Sequence, residues 1–332
     1  MKQYHVYGIG AALVDTEIEV SDTELSQMGV EKGLMTLVDE ARQSELIEHL
    51  EGHLVHSKKA SGGSACNTTI AASYFGANAY YSCKVAADDN GDFFMGDLKN
   101  AGVDGPFDAA KEQGITGKCL VMITPDAERS MNTFLGISET LSTQELNHDA
   151  IKASEYVYYE GYVVTSPTGR ASAIEARKVA EANGVKTAIS LSDPGMVEFF
   201  KDGLQEMIGD SVDLLFCNED EAMGWGKTDN LEAAIETIKA ISKTFAITRG
   251  SKGAVVFDGE KLITIEPHSV KAVDTNGAGD MFAGAFLYAI THGHDFATAG
   301  KLASRAAAEV VANYGPRLPA AAHQAILSEV IH

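Results

Sequence analysis

Asp274-Thr275-Asn276-Gly277-Ala278-Gly279-Asp280 lies between an apolar run that reads as strand and a run over 281–290 that reads as helix. Glycines at 277 and 279 let the backbone approach a ligand closely. The helix that follows opens with unpaired N–H groups and the positive end of its dipole, a cradle for a phosphate. Asp280 falls in the first turn of that helix. A carboxylate there is placed to take the proton of an attacking hydroxyl while Gly277, Ala278 and Gly279 form an anion hole, the division of labour that phosphoryl transfer requires. An acidic residue at a helix start also satisfies the dipole alone, so the rest of the chain has to decide between the two.

Outward from that loop, apolar β-type runs recur at 4–9, 79–85, 156–159, 187–191, 214–217 and 245–248, with helical stretches at 64–74, 169–183, 231–242 and 282–290. In the last of these, Phe282, Phe286 and Ala289 share a face. Strand alternating with helix predicts an α/β fold, a mostly parallel sheet covered on both sides. Segments 16–38 and 118–135 break the rhythm and read as extended hairpin material, the second with two β-type runs around Pro125-Asp126-Ala127-Glu128. They predict a small β-sheet over one edge of the main one, a lid that closes on substrate and excludes water. No linker, repeat or low-complexity segment is evident, so residues 1–332 read as one domain with the lid segments inserted in it.

At 332 residues and 45% hydrophobic, the chain is long enough for a substantial core. Its formal net charge of −21 argues against a nucleic-acid or anionic-membrane surface, which needs a basic patch. No apolar run approaches the roughly 18 residues of a membrane span, and residues 1–10 lack the pattern of a secretory leader, so a soluble, cytoplasmic protein is expected. Cys66, Cys83, Cys119 and Cys217 are far apart and show no CxxC spacing. Buried free thiols are expected rather than disulfides or zinc.

Further segments carry chemistry. In Ser61-Gly62-Gly63-Ser64-Ala65-Cys66-Asn67, ahead of an alanine-rich helix, the glycines permit a close backbone approach. Asn67, one turn in, either binds a substrate hydroxyl or caps the helix. Asp15 follows the first strand, where open α/β sheets place ligand groups, and a carboxylate there can accept both hydrogen bonds of a vicinal diol. Asn218 and Glu221, three apart on a starting helix, either organise magnesium and its waters or cap that helix. Thr248-Arg249-Gly250 ends another strand and offers a nucleotide a hydroxyl and bare backbone. Arg129 puts a guanidinium on the lid, suited to clamping a phosphate.

Of the tyrosines at 156, 158, 159 and 162, Tyr162 is the base-stacking candidate and the others read as strand packing. The surroundings of Tyr162 and Phe134 should discriminate substrates: an aromatic slot favours a nucleobase, a small polar pocket a free sugar. Two fingerprints fail. Gly8-Ile9-Gly10 has Leu13 where a dinucleotide motif needs a small residue, and Gly226-Lys227-Thr228 has Glu221 where a P-loop needs glycine.

Together the GGSACN, NEDE, TRG and DTNGAGD segments resemble, in order and spacing, the ribokinase-like (PfkB) family of kinases over essentially the whole chain. KVAADD (84–89), ERSMNTFLG (128–136), EGYVVTSP (160–167) and ANYGPRLP (312–319) are similar to its bacterial adenosine-kinase-like branch. The resemblance implies a three-layer α/β/α domain with a β-sheet lid. It implies transfer of the γ-phosphate of ATP, with Mg2+, to a primary hydroxyl, most readily the 5′-OH of a nucleoside such as adenosine. A sugar such as fructose or ribose is the alternative acceptor, and a catalytically idle ligand sensor on the same scaffold is the third possibility.

By the same resemblance, Asp280 matches the catalytic base and Gly277, Ala278 and Gly279 the anion hole. Asp15, Gly63 and Asn67, with Gly62 beside them, match ribose-binding positions. Asn218 and Glu221 match the motif that positions magnesium and phosphate, Thr248 and Gly250 match nucleotide contacts, and Arg129 matches a lid arginine near the phosphates. A potassium ion held by backbone carbonyls near Asp274 and the 311–315 segment, and a monomer or homodimer, are further implications. Gly10-Ala11-Ala12 departs from the Gly-Asn-Ala of close relatives. Loss of an asparagine that contacts base or ribose would weaken or alter nucleoside recognition.

Overall fold

The computed structural model describes residues 2–50 and 60–331. In chain order its strands are β1 (Tyr4–Ile9), β2 (Leu13–Glu19), β3 (Met35–Leu37), β4 (Ala60–Gly62), β5 (Ala79–Ser82), β6 (Val103–Asp104) and β7 (Thr116–Ile123). Then follow β8 (Arg129–Gly136), β9 (Ser154–Glu160), β10 (Lys186–Ser190), β11 (Val212–Asn218), β12 (Ser242–Thr248), β13 (Ala254–Phe257) and β14 (Leu262–Ile265). Nine of them form one sheet in the order β14-β13-β12-β11-β10-β9-β1-β5-β6. From β6 to β12 every pair is parallel, while β13 and β14 add an antiparallel hairpin at one edge.

The apolar runs form a sheet because each strand has something to bury on both faces. Along β9, Tyr156 and Tyr158 pack into one core, while Val157 and Tyr159 pack into the other. The first core is closed by the helices Ser64–Phe75, Ala278–Thr291 and Phe296–Val311, with Phe216 meeting Phe286 edge-on at 5.7 Å. The second is closed by Pro167–Ala182, Pro194–Ile208 and Leu231–Lys239. This is the expected three-layer arrangement. Ser64–Phe75 and Ala278–Thr291 lie in close contact because Gly284 has no side chain; a Cβ there would sit 2.5 Å from the Thr68 carbonyl oxygen.

A smaller sheet has the order β3-β8-β7-β2-β4. Segment 118–135 makes the expected hairpin, β7 against β8. Segment 16–38 does not: it holds the end of β2, a helix at Asp22–Gln27 and β3, and β3 pairs with β8 rather than β2. The helix forms on a capping box in which Ser21 accepts from the Glu24 N–H and Glu24 reaches back to Ser21. One face of the small sheet is covered by that helix and by Glu40–His49, through Ile18, Leu25, Leu46, Leu120 and Met122. The other face carries Leu13, Cys119 and Val121, with Met131 and Leu135 beside them. A further difference lies before Asp274. The chain leaves the edge hairpin at Ile265, and Pro267, with no N–H for a ladder, is followed by irregular backbone tied at Val273 to the Val311 carbonyl.

No helix among the described residues is long and apolar enough to cross a membrane. All four cysteines are buried and free.

Candidate active site

Around β1 the strand order reverses: the chain builds β5 and β6 on one side of it and β9 to β12 on the other. Such a reversal opens a crevice at the carboxyl ends of the strands. A cleft of about 1100 Å³ occupies that place, roofed by the small sheet. It brings together Asp15, Gly63, Asn67, Arg129, Tyr162, Asn218, Glu221, Thr248, Gly250, Gly277, Ala278, Gly279 and Asp280, residues spread over the whole sequence.

Gly277 is the N-cap of Ala278–Thr291, with φ +74° and no side chain capping the helix. Its left-handed conformation and the Pro316 carbonyl, which a Cβ would approach to 2.3 Å, both demand glycine. Around Gly279 nothing lies within 4 Å of the Cβ position, so the first turn of the helix borders free space, with the Ala278 N–H donating to the Thr275 carbonyl at 3.3 Å. That arrangement suits an anion. Asp274, fully buried, accepts from the N–H groups of Asn276 and Gly315 and so ties the loop to the 311–315 segment. It does not line the cleft.

Asp280 is held by two residues of the facing helix. Ser64 Oγ donates to Oδ1 at 2.6 Å and Asn67 Nδ2 donates to Oδ2 at 3.2 Å. Burial raises its pKa above the ordinary carboxylate value, and the two hydrogen bonds and the Arg129 charge pull part of the way back. Asn67 thus does more than the two alternatives the sequence offered: it orients the carboxylate. Ser64, between Gly63 and Asn67, is a partner of Asp280 that the sequence pattern alone does not mark.

Asp15 lies within β2 of the small sheet, not at the end of a main-sheet strand. It is buried, and its Oδ1 has no hydrogen-bond partner. Burial and the neighbouring Glu17 charge push it up to about 7. Gly62 stands outside the cleft lining but makes room for Asp15, whose Oδ1 would be 2.1 Å from a Cβ there. Gly63, at φ +99°, turns the chain into the helix with its Cβ position 2.4 Å from the Ala11 carbonyl.

Phe134 requires a correction. It pairs with Lys118 on the side of β8 away from the cleft, while Met131, Thr133 and Leu135 line the cleft. Strand alternation decides this, since neighbours in sequence point to opposite faces. The roof is therefore aliphatic and sulfur-containing, with Leu13, Met35, Cys119, Met131 and Leu135. Tyr162 is the aromatic wall, its hydroxyl donating to the Ser192 carbonyl at 3.3 Å.

Arg129, half-buried at the start of β8, makes no ion pair among the described residues. Burial works against its charge, but Tyr162, Asp280 and Asp193 outweigh that and raise its pKa. Asp193, 3% exposed and capping Pro194–Ile208, is a cleft carboxylate that the sequence reading did not single out. Its signal was Asp-Pro at a strand-to-helix turn.

Asn218 and Glu221 form a complete capping box: Asn218 Oδ1 accepts from the Glu221 N–H, and Glu221 accepts from both Asn218 N–H groups. Burial pushes Glu221 up to about 8 despite these bonds. Among the described residues no cluster of three or more His, Cys, Asp or Glu could hold a metal directly. With both Glu221 oxygens already engaged, the donor set fits a divalent ion carried on phosphate oxygens and reached through water.

Arg249 and Lys252 both pair with Glu219, at 3.5 and 3.2 Å, and all three line the cleft.

The raised carboxyls make stability depend on pH. A carboxyl whose folded pKa exceeds its unfolded value binds more protons when native, so stability falls as pH rises through the folded value. For Asp15 and Glu160, both at about 7, and Glu221 at about 8, the loss begins just above the ordinary carboxylate range and is complete only in neutral to mildly alkaline solution. The thermal midpoint is expected to rise by a few degrees between about pH 8.5 and about pH 6.5. Below that, His323, held down to about 4 by burial, opposes folding as unfolded histidines protonate. Scanning calorimetry across the window checks this; a midpoint that falls on acidification contradicts it.

A β-sheet roof facing a glycine-opened helix across the carboxyl edge of a parallel sheet defines the ribokinase-like kinases. Residues 35–322 match the pfkB family carbohydrate kinases, and the chain belongs to that family. Membership makes it a kinase that uses ATP with a divalent metal. Among relatives, adenosine kinase of Saccharomyces cerevisiae is 28% identical, covering 94% of this chain and 96% of its own. Among solved structures, a probable sugar kinase from Rhizobium etli superposes with TM-score 0.94 at 31% identity over 100% of both chains. Adenosine kinase from Sinorhizobium meliloti superposes with TM-score 0.91 at 32% identity, covering 97% of this chain and 99% of that one.

Proposed function

We propose that the protein transfers the γ-phosphate of ATP to the 5′-hydroxyl of a nucleoside, adenosine first. The observation that carries this is the lining of the cleft. Leu13, Met35, Met131 and Leu135 give the cleft an apolar lining, Tyr162 adds an aromatic ring, and Asp15, Asn67 and Asp280 supply polar groups to the same cleft. A flat base fits the apolar lining and a ribose diol the polar groups. A free sugar would use the polar groups and leave the apolar lining without a partner.

In this assignment Asp15 accepts from the ribose hydroxyls, and its orphaned Oδ1 supports that role. Asp280 takes the proton of the 5′-hydroxyl as the oxygen attacks the γ-phosphorus, and the amides of 277–279 receive the negative charge that develops on the transferring group. Arg129 closes over the phosphates from the roof. Thr248 and Gly250 border the nucleotide, and Asn218 and Glu221 face hydrated magnesium, which when bound neutralises phosphate charge. Potassium, if used, belongs beside Asp274 and 311–315, held by backbone carbonyls. A single domain, with the small sheet as a moving lid, completes the proposal.

ADP release across adenosine, inosine, guanosine, cytidine, ribose and fructose tests the reading: nucleoside turnover supports it and turnover confined to a sugar overturns it. Asp15→Ala is expected to raise the nucleoside KM about tenfold or more, the loss of charged hydrogen bonds, with the KM for ATP unchanged. Steady-state kinetics in both substrates check this, and an equal rise in both constants contradicts it.

A further inference from the structure

We propose that Glu160 is a positioning residue for phosphoryl transfer, fixing the loop whose Ser64 and Asn67 hold Asp280; this rests on the nucleoside-kinase reading above. Glu160 is the last residue of β9, 1% exposed, beside β1 where the strand order reverses. Its two oxygens are divided between two segments. Oε1 accepts from the Ala11 N–H at 2.9 Å, and Oε2 accepts from the Ala65 N–H at 2.5 Å. One carboxylate thereby joins the chain leaving β1 to the first turn of Ser64–Phe75.

That turn has no cap of its own, because its N-cap is Gly63. Glu160 supplies the acceptor from another part of the chain. Ala65 sits between Ser64 and Asn67, so a displacement at its N–H moves both donors to Asp280. Glu160 pairs with no cation among the described residues, and a buried carboxylate without a counter-ion is unfavourable for folding. Packing alone would be served by an apolar side chain. The space is also kept for the carboxylate: a Cβ on Gly10 would lie 2.6 Å from Glu160 Cδ.

Glutamine at 160 accepts one N–H but turns its own NH2 toward the other. Glu160→Gln is expected to lower kcat on the order of tenfold, the effect of losing a supporting residue, and to raise the nucleoside KM while leaving the KM for MgATP unchanged. Gly10→Ala, which keeps the carboxylate and presses on it, is expected to give the same pattern. Thermal melts of both variants precede the kinetics, and if Glu160→Gln does not fold, Gly10→Ala decides. Unchanged kcat and nucleoside KM, or equal damage to both KM values, overturns the role of Glu160. Wild-type protein that phosphorylates no nucleoside overturns the substrate reading instead.

Discussion

Asp280→Asn is expected to lower turnover by at least roughly 100-fold, the low end for losing a general base, with little change in stability or ATP binding. Asparagine keeps the size of the side chain and can still accept from Ser64 or Asn67, which bond Asp280 at 2.6 and 3.2 Å. What it cannot do is accept and hold the hydroxyl proton. Single-turnover kinetics separate this loss from binding, and a melt confirms the fold. The raised pKa of Asp280 adds a signature: turnover falls toward acid above the ordinary carboxylate range, and the variant loses that limb. Near-wild-type turnover in the variant removes Asp280 from the mechanism.

Arg129→Ala is expected to reduce kcat on the order of 100-fold, comparable to removing one donor to a developing oxyanion, while affinity for the free nucleoside changes little. The guanidinium has no ion pair to lose among the described residues, and the charges of Asp280 and Asp193, which line the same cleft, favour its cationic form. Its removal therefore takes charge from the phosphate path rather than a strut from the roof. Isothermal calorimetry with nucleoside alone, set beside kcat with MgATP, checks the split. A larger loss in nucleoside affinity than in turnover places Arg129 outside the phosphate site.

Much of the main sheet was legible because its strands are apolar on both faces and its helices follow at regular spacing. The run at 4–9 coincides with β1, and the helix expected from 64 begins at Ser64. The glycine turn that opens Ala278–Thr291 was legible because only glycine serves at Gly277. What failed depended on parity and distance. Phe134 is one residue from a cleft-facing position, and one residue inverts the face of a strand. The helix at Asp22–Gln27 hid in a segment judged by its β-type residues, although Ser21 and Glu24 spelled its capping box. Ser64 and Glu160 take their parts only through partners far along the chain, Asp280 for the first, Ala11 and Ala65 for the second. A strand end at a reversal of strand order would have pointed to Glu160, but that reversal exists only in the folded sheet.

The most direct measurement is a proton-coupled phosphorus-31 spectrum of the product formed from adenosine, MgATP and the wild-type protein, with Asp280→Asn as the blank. A phosphomonoester signal split by the two 5′-methylene protons, absent from the blank, is the expected result. ATP hydrolysis to inorganic phosphate alone, or phosphate appearing only on ribose or fructose when these replace adenosine, would contradict it.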